Sequence, residues 1–162
     1  MGKTELEKTF IEMIGRNERV IYKVCSFYVS DEFPLADLYQ EVVSNLWTAF
    51  PRFKYESSVS TWMYRIALNT CISGMRKDMR RPKGSSVSIL QDAIAEPETL
   101  SDQIKEMYHY IYQLKTLERA VVLLYLEEKS YQEIADITGL TVSNVATKLK
   151  RSKEKLKQMS NL

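Results

Sequence analysis

Residues 130–156 read SYQEIADITGLTVSNVATKLKRSKEKL, and three local signals in this stretch decide what kind of fold the chain adopts. Ser130, followed three residues later by Glu133, is a capping box, in which each side chain satisfies an amide that a helix start leaves unpaired. The spacing predicts a short helix over Tyr131–Thr138, ended by Gly139, whose missing Cβ suits a tight turn. Ala135 is small enough to sit where two helices cross, and Val145, six residues after the glycine, is placed to plug the corner. A second helix follows, with Val142, Val145, Leu149 and Leu156 as its buried stripe and Ser143, Thr147, Lys150, Arg151 and Glu154 opposite. Two helices joined by so short a turn form a helix-turn-helix. With Val145 and Leu149 committed to the core, Ser143, Asn144, Thr147 and Arg151 face outward as candidate base contacts, and Lys148 and Lys150 as candidate phosphate contacts.

Working outward from this motif, Ile104–Leu114 and Leu117–Glu127 each carry helical periodicity. Upstream of them, residues 83–103 hold Lys83 against Asp92, Glu96, Glu98 and Asp102, with Pro97, Gly84 and four serines, the composition of a flexible acidic linker. The chain therefore reads as all-α, with two small helical domains, 1–82 and 104–162, joined by linker 83–103. Only 5 glycines and 4 prolines interrupt 162 residues, and a hydrophobic fraction of 44% supplies both cores.

The first domain has its own pattern. Leu6, Phe10 and Ile14, then Val20, Ile21 and Val24, fit either a pair of short amphipathic helices or one helix interrupted near Gly15–Asn17. A helix is expected after Pro34, stopped by Pro51, with Leu35, Leu38, Val42, Leu46, Ala49 and Phe50 on one side and Asp37, Gln40, Glu41, Ser44 and Thr48 on the other. A further helix spans about residues 60–79. Tyr64, Leu68, Cys71, Ile72, Met75 and Met79 form its core stripe, and Trp62, Arg65, Asn69, Ser73, Arg76 and Arg80 line up beside it. Trp62 suits a core-edge position and a base-stacking platform equally well, and the cations behind it favour a role near single-stranded nucleic acid.

The net charge of +2 says little, but its distribution is informative. From Arg65 to Arg81 five basic residues face Asp78 alone, and from Lys148 to Lys157 six face Glu154 alone, so two basic patches lie in two separate parts of the chain. Cys25 and Cys71 form no CxxC pair and His109 is the one histidine, which leaves little material for a metal site, a catalytic site or a bound cofactor. Met1–Phe10 mixes Lys and Glu, and no apolar run reaches membrane-spanning length, so a reduced, cytoplasmic protein is expected.

Four stretches taken together resemble the sigma-70 superfamily of RNA polymerase sigma factors, in its small two-domain extracytoplasmic-function (ECF) form. DLYQEVVSNLW (Asp37 to Trp47) is similar to the polymerase-binding helix. STWMYRIALNTCISGMRKDMRR (Ser60 to Arg81) is similar to the promoter-melting, minus-ten helix. LERAVVLLYLEEKSYQEIADITGL (Leu117 to Leu140) and VSNVATKLKRSKEKL (Val142 to Leu156) resemble the minus-thirty-five domain.

The resemblance implies that Asp37, Gln40, Glu41, Ser44 and Asn45 dock on the RNA polymerase core enzyme. It implies that Lys54, Trp62, Arg65, Asn69, Arg76, Lys77, Arg80 and Arg81 meet minus-ten promoter DNA, the loop Lys54–Val59 capturing a flipped base. Ser143, Asn144, Thr147, Lys148, Lys150 and Arg151 then meet minus-thirty-five DNA. It also implies a sigma factor that is no enzyme, and admits a membrane-associated anti-sigma factor as partner. The competing reading is a dimeric helix-turn-helix regulator whose first domain dimerises. Such a domain has no need of a basic, Trp-headed helix paired with a separate acidic one.

Overall fold

A computed structural model of the protein describes residues 2–78 and 102–161, and every regular element among them is helical. The chain divides into two compact units, Met1–Ile94 and Ala95–Leu162.

In the first unit, α1 (Lys3–Arg16) and α2 (Glu18–Ser26) are separate helices. The break falls at Asn17, whose side-chain amide donates to the Met13 carbonyl at 2.8 Å and so closes α1 from its own end. Helix α3 (Leu35–Ala49) starts directly after Pro34 and passes into a 3-10 turn, Phe50–Arg52, at Pro51, which has no amide proton to continue the α ladder. Helix α4 (Val59–Asp78) is capped by Ser58, whose hydroxyl oxygen accepts from the Thr61 N–H at 3.1 Å.

Helix α4 packs against both α2 and α3. Its buried set is therefore wider than one stripe: Met63, Ala67 and Cys71 are fully enclosed together with Tyr64 and Leu68, while Ile72 is only half-buried. Trp62, for which the sequence left a core-edge position and a stacking platform equally open, is 8% exposed. The loop that precedes α4 folds back over its first turn and covers the indole.

The second unit contains α5 (Asp102–Ile111), α6 (Thr116–Leu126), α7 (Tyr131–Thr138) and α8 (Val142–Ser160). Helix α6 is its centre, with Glu118 through Leu124 all buried. The Arg119 guanidinium donates to the carbonyls of Tyr112 at 2.8 Å and Leu114 at 3.2 Å, fixing the turn between α5 and α6.

The capping box forms as the sequence predicts. Ser130 Oγ accepts from the Glu133 N–H at 3.1 Å, and Glu133 Oε1 accepts from the Ser130 N–H at 3.0 Å. Gly139 takes φ +80, the left-handed region where a side chain is strained, and Thr141 caps α8 through the Asn144 N–H at 3.1 Å. Val145 and Leu149 are buried, as is Ala135 opposite them. Val142 is not: at the first position of α8 it is 41% exposed. Ser152 continues the buried stripe instead, and Leu156 is half-buried. The linker expected over 83–103 lies outside the described residues except for Asp102 and Gln103, which open α5.

Candidate nucleic-acid interface

Three surfaces gather the polar residues singled out by the sequence. The first is the outer side of α3, where Asp37, Gln40, Glu41, Ser44 and Asn45 are all exposed opposite buried Leu35, Leu38, Val42 and Leu46. Asn45 is tied down: its Nδ2 donates to Thr70 Oγ1 of α4 at 2.9 Å, and that hydroxyl donates to the Ile66 carbonyl at 2.8 Å. An apolar groove of about 720 Å³ lies along the same helix, walled by Phe10, Ile11, Val43 and Trp47, with Gln40 and Ser44 on its lining. Ile11 is 67% exposed there. Burial and the nearby Glu18 carboxylate push the Tyr39 phenol in this groove up from its ordinary value. Ile11 and Trp47 lie off the stripes read from the sequence, so the groove is a feature of how α1 meets α3.

The second surface is built by the loop after the 3-10 turn and the start of α4. Phe53 stacks flat on Trp62, ring centroids 4.5 Å apart at 13°, and Tyr55 lies 4.4 Å from Phe53. Tyr55 has φ 58 and is 63% exposed, so the loop holds one aromatic ring out toward solvent at the cost of a strained backbone. A groove of about 570 Å³ beside these rings is lined by Arg52, Phe53, Lys54, Glu56, Trp62 and Arg65, among others. Rings that stack on bases and cations that follow a phosphate backbone are the two ingredients of a single-strand site.

Of the residues expected here, Lys54, Trp62 and Arg65 come together, with Trp62 as the buried support of Phe53. Asn69 faces a different groove, shared with Glu41 and Asn45. Arg76 and Lys77 belong to α4; Arg80 and Arg81 lie outside the described residues. Arg52, Phe53 and Tyr55 were not singled out from the sequence, although FPRFKY interleaves aromatic and basic residues.

The third surface is the start and outer face of α8. Ser143, Asn144, Thr147, Lys150 and Arg151 are exposed, and Lys148 is half-buried. Two cations of the basic run are engaged within the unit: Lys155 Nζ meets both Glu118 oxygens, at 2.8 and 3.0 Å, and the exposed Lys153 has its Nζ 4.1 Å from the centre of the exposed Tyr125 ring. Burial by itself raises the Glu118 carboxyl. The hydrogen bonds from Lys155 and from the Lys115 N–H outweigh it and hold the group below the ordinary carboxylate range.

Residues 13–81 match the family model described as Sigma-70 region 2, and residues 104–156 match the one described as Sigma-70, region 4. The chain belongs to the sigma-70 family. It is of the ECF type: it is 29% identical over 163 residues to the ECF RNA polymerase sigma-E factor of Escherichia coli K12, covering 91% of this chain and 84% of that protein. Its fold is similar to that of RpoE from Bartonella quintana, solved in complex with the anti-sigma factor NepR, with a TM-score of 0.72 at 17% identity over 98% of both chains. It is also similar to CnrH in complex with the cytosolic domain of CnrY, with a TM-score of 0.66 at 18% identity over 96% of this chain and 89% of that one.

In this family's terms, region 2 takes in the end of α1, α2, α3, the aromatic loop and α4, and region 4 takes in most of α5 through α8. Phe10 and Ile11, which wall the apolar groove, precede the matched part of region 2. No helix among the described residues is long and apolar enough to cross a membrane.

Proposed function

We propose that this sigma factor binds the RNA polymerase core enzyme through the polar side of α3 and reads promoter DNA with two separate surfaces. Residues 1–82 serve core binding and the minus-ten element, and residues 104–162 serve the minus-thirty-five element. In the first domain, Arg52, Lys54 and Arg65 meet the backbone of the opening strand, and Phe53 with Tyr55, braced by Trp62, receive an unpaired base. Stacking contributes about 1–3 kcal/mol per base, enough to favour the open strand over the duplex when several contacts act together. Arg76, Lys77, Arg80 and Arg81, later in the same basic stretch of sequence, are assigned to minus-ten DNA as well. In the second domain α8 enters the major groove, with Ser143, Asn144, Thr147 and Arg151 toward base edges and Lys148 and Lys150 toward phosphates.

The observation that carries this reading is the division of the first unit's surface. The loop and α4 present cations around aromatic rings, whereas α3 presents Asp37 and Glu41 among neutral polar groups. One chain with a nucleic-acid face and an acidic face side by side fits a subunit that bridges DNA and a protein machine. Such work involves no bond chemistry of its own and belongs in the cytoplasm with core polymerase. That RpoE from Bartonella quintana was solved with an anti-sigma factor supports an inhibitory protein, at the membrane or free, as a further partner here.

The experiment is core association by gel filtration and titration. The double variant Gln40→Ala, Glu41→Ala removes exposed side chains only, so helicity stays intact while core affinity falls about tenfold, roughly 1.4 kcal/mol. Wild-type affinity in a normally folded double variant would refute the assignment of α3.

A further inference from the structure

The groove beside the Phe53–Trp62 stack has one feature that holding a strand by its backbone does not explain. Arg52, Lys54 and Arg65 line it, and so does Glu56. A carboxylate among three cations repels phosphate and weakens what each of them contributes. Nor is Glu56 taken up by its neighbours: its exposed carboxylate forms no hydrogen bond or ion pair among the described residues. It keeps its full capacity as an acceptor, and as a carboxylate it has no proton to donate.

Its place in the loop gives it something to accept from. Phe53 lies flat on Trp62 at 4.5 Å, Tyr55 lies 4.4 Å from Phe53, and Glu56 follows Tyr55 directly, after the left-handed residue that turns the backbone. A base laid against these rings turns its edge toward the residues beside them. The four edges differ in what they offer a carboxylate. Cytosine, adenine and guanine each carry an exocyclic amino group, which donates. Thymine carries a single N–H between two carbonyl oxygens, and both oxygens repel a carboxylate brought up to that edge.

We infer that Glu56 makes this loop select an unpaired base with an exocyclic amino group and reject thymine. The amino group donates to the Glu56 carboxylate, while Arg52, Lys54 and Arg65 hold the neighbouring phosphates. The inference rests on the proposal that the loop receives an unpaired base, and it goes further in naming the class of base and the residue that chooses it.

Cytosine and uracil isolate the amino group, since they differ only there and in the ring proton that changes with it. In fork-junction DNA built on a promoter that the holoenzyme transcribes, each position of the unpaired strand is replaced in turn by an abasic site, by cytosine and by uracil. Affinity is measured with holoenzyme of the full-length chain. The position served by the loop is the one whose abasic loss disappears in Tyr55→Ala. There wild type binds cytosine about five- to tenfold more tightly than uracil, the scale of one hydrogen bond to an exposed charged group. The Glu56→Gln carboxamide can donate to the uracil oxygen as well as accept from an amine, so this variant binds the two within about twofold of each other. Its core affinity and thermal melting stay at wild type, because Glu56 is exposed and lies off α3. If Glu56 only sets the charge of the groove, Glu56→Gln strengthens binding to every base alike, the cytosine-to-uracil ratio does not move, and the inference fails. Wild type that binds uracil as tightly as cytosine at that position overturns it too. If no position shows an abasic loss that depends on Tyr55, base capture by the loop falls and the inference with it, a result that the abasic series reports separately from the cytosine and uracil pair.

Discussion

Glu118 occupies the first turn of α6 with its side chain 9% exposed, between the Lys155 ammonium at 2.8 Å and the Lys115 amide at 3.2 Å. Because these partners hold the folded-state carboxyl below the ordinary carboxylate range, the pair stabilises the second unit fully above the unfolded pKa of about 4.3. That stability is lost as pH falls through the lower folded value. Thermal melts of wild type between neutral pH and pH 3 will therefore show a falling midpoint at the acid end, and Glu118→Gln will flatten this slope and lower the neutral-pH stability by about 1 kcal/mol, less than a fully buried charged hydrogen bond because the Lys155 side chain is 44% exposed. Equal acid slopes in the two proteins would show that the pair does not govern acid stability. The sequence hides this pair, since 37 positions separate its members and Lys155 reads as one more cation of a DNA-facing run. Ser152 is hidden for a related reason. Its type suits a wet face, yet it is fully buried, and its hydroxyl has no hydrogen-bond partner among the described residues.

Among the elements, the helix-turn-helix was the most legible because its signals are local. The cap at Ser130, the left-handed Gly139 and the Val145 plug each act within a few residues, and α7 has the bounds that the spacing predicts. The loop after Phe50 was less legible: the resemblance implied a role for Lys54–Val59, but the loop has no period, and the stacking of Phe53 on Trp62 depends on α4 arriving beneath it, which puts Trp62 at the core edge as a buried support. For α8 the division of labour is testable at the level of the element. An arginine can make two parallel bonds to a guanine, whereas a lysine does little more than neutralise phosphate. Arg151→Ala is expected to cost about 1–3 kcal/mol and to relax preference at one base position, while Lys150→Ala weakens all sequences alike. Binding-site selection from random DNA on wild type and both variants checks this. Loss of affinity without any change in preference for Arg151→Ala would make that residue a phosphate contact.

For the whole molecule, the placement of charge was the informative quantity and the net charge was not. Two basic stretches separated by an acidic, Pro- and Ser-containing segment are the basis for proposing two nucleic-acid surfaces, and the division at Ile94–Ala95 falls within that segment. The acidic α3 face beside the first of them is what separates a polymerase subunit from a self-sufficient DNA-binding dimer. The two proposed DNA surfaces, together with the proposed core-binding face, describe a protein whose DNA recognition is completed inside a larger enzyme. Runoff transcription tests this most directly: purified core polymerase, fragmented genomic DNA and the purified chain, with and without the chain. Discrete transcripts that require both core and chain are expected, with start sites preceded by two short sequence elements at constant spacing, and no such transcripts from core alone. If the chain instead binds DNA tightly as a dimer without core and directs no transcript with it, the molecule is a helix-turn-helix regulator and the account is wrong.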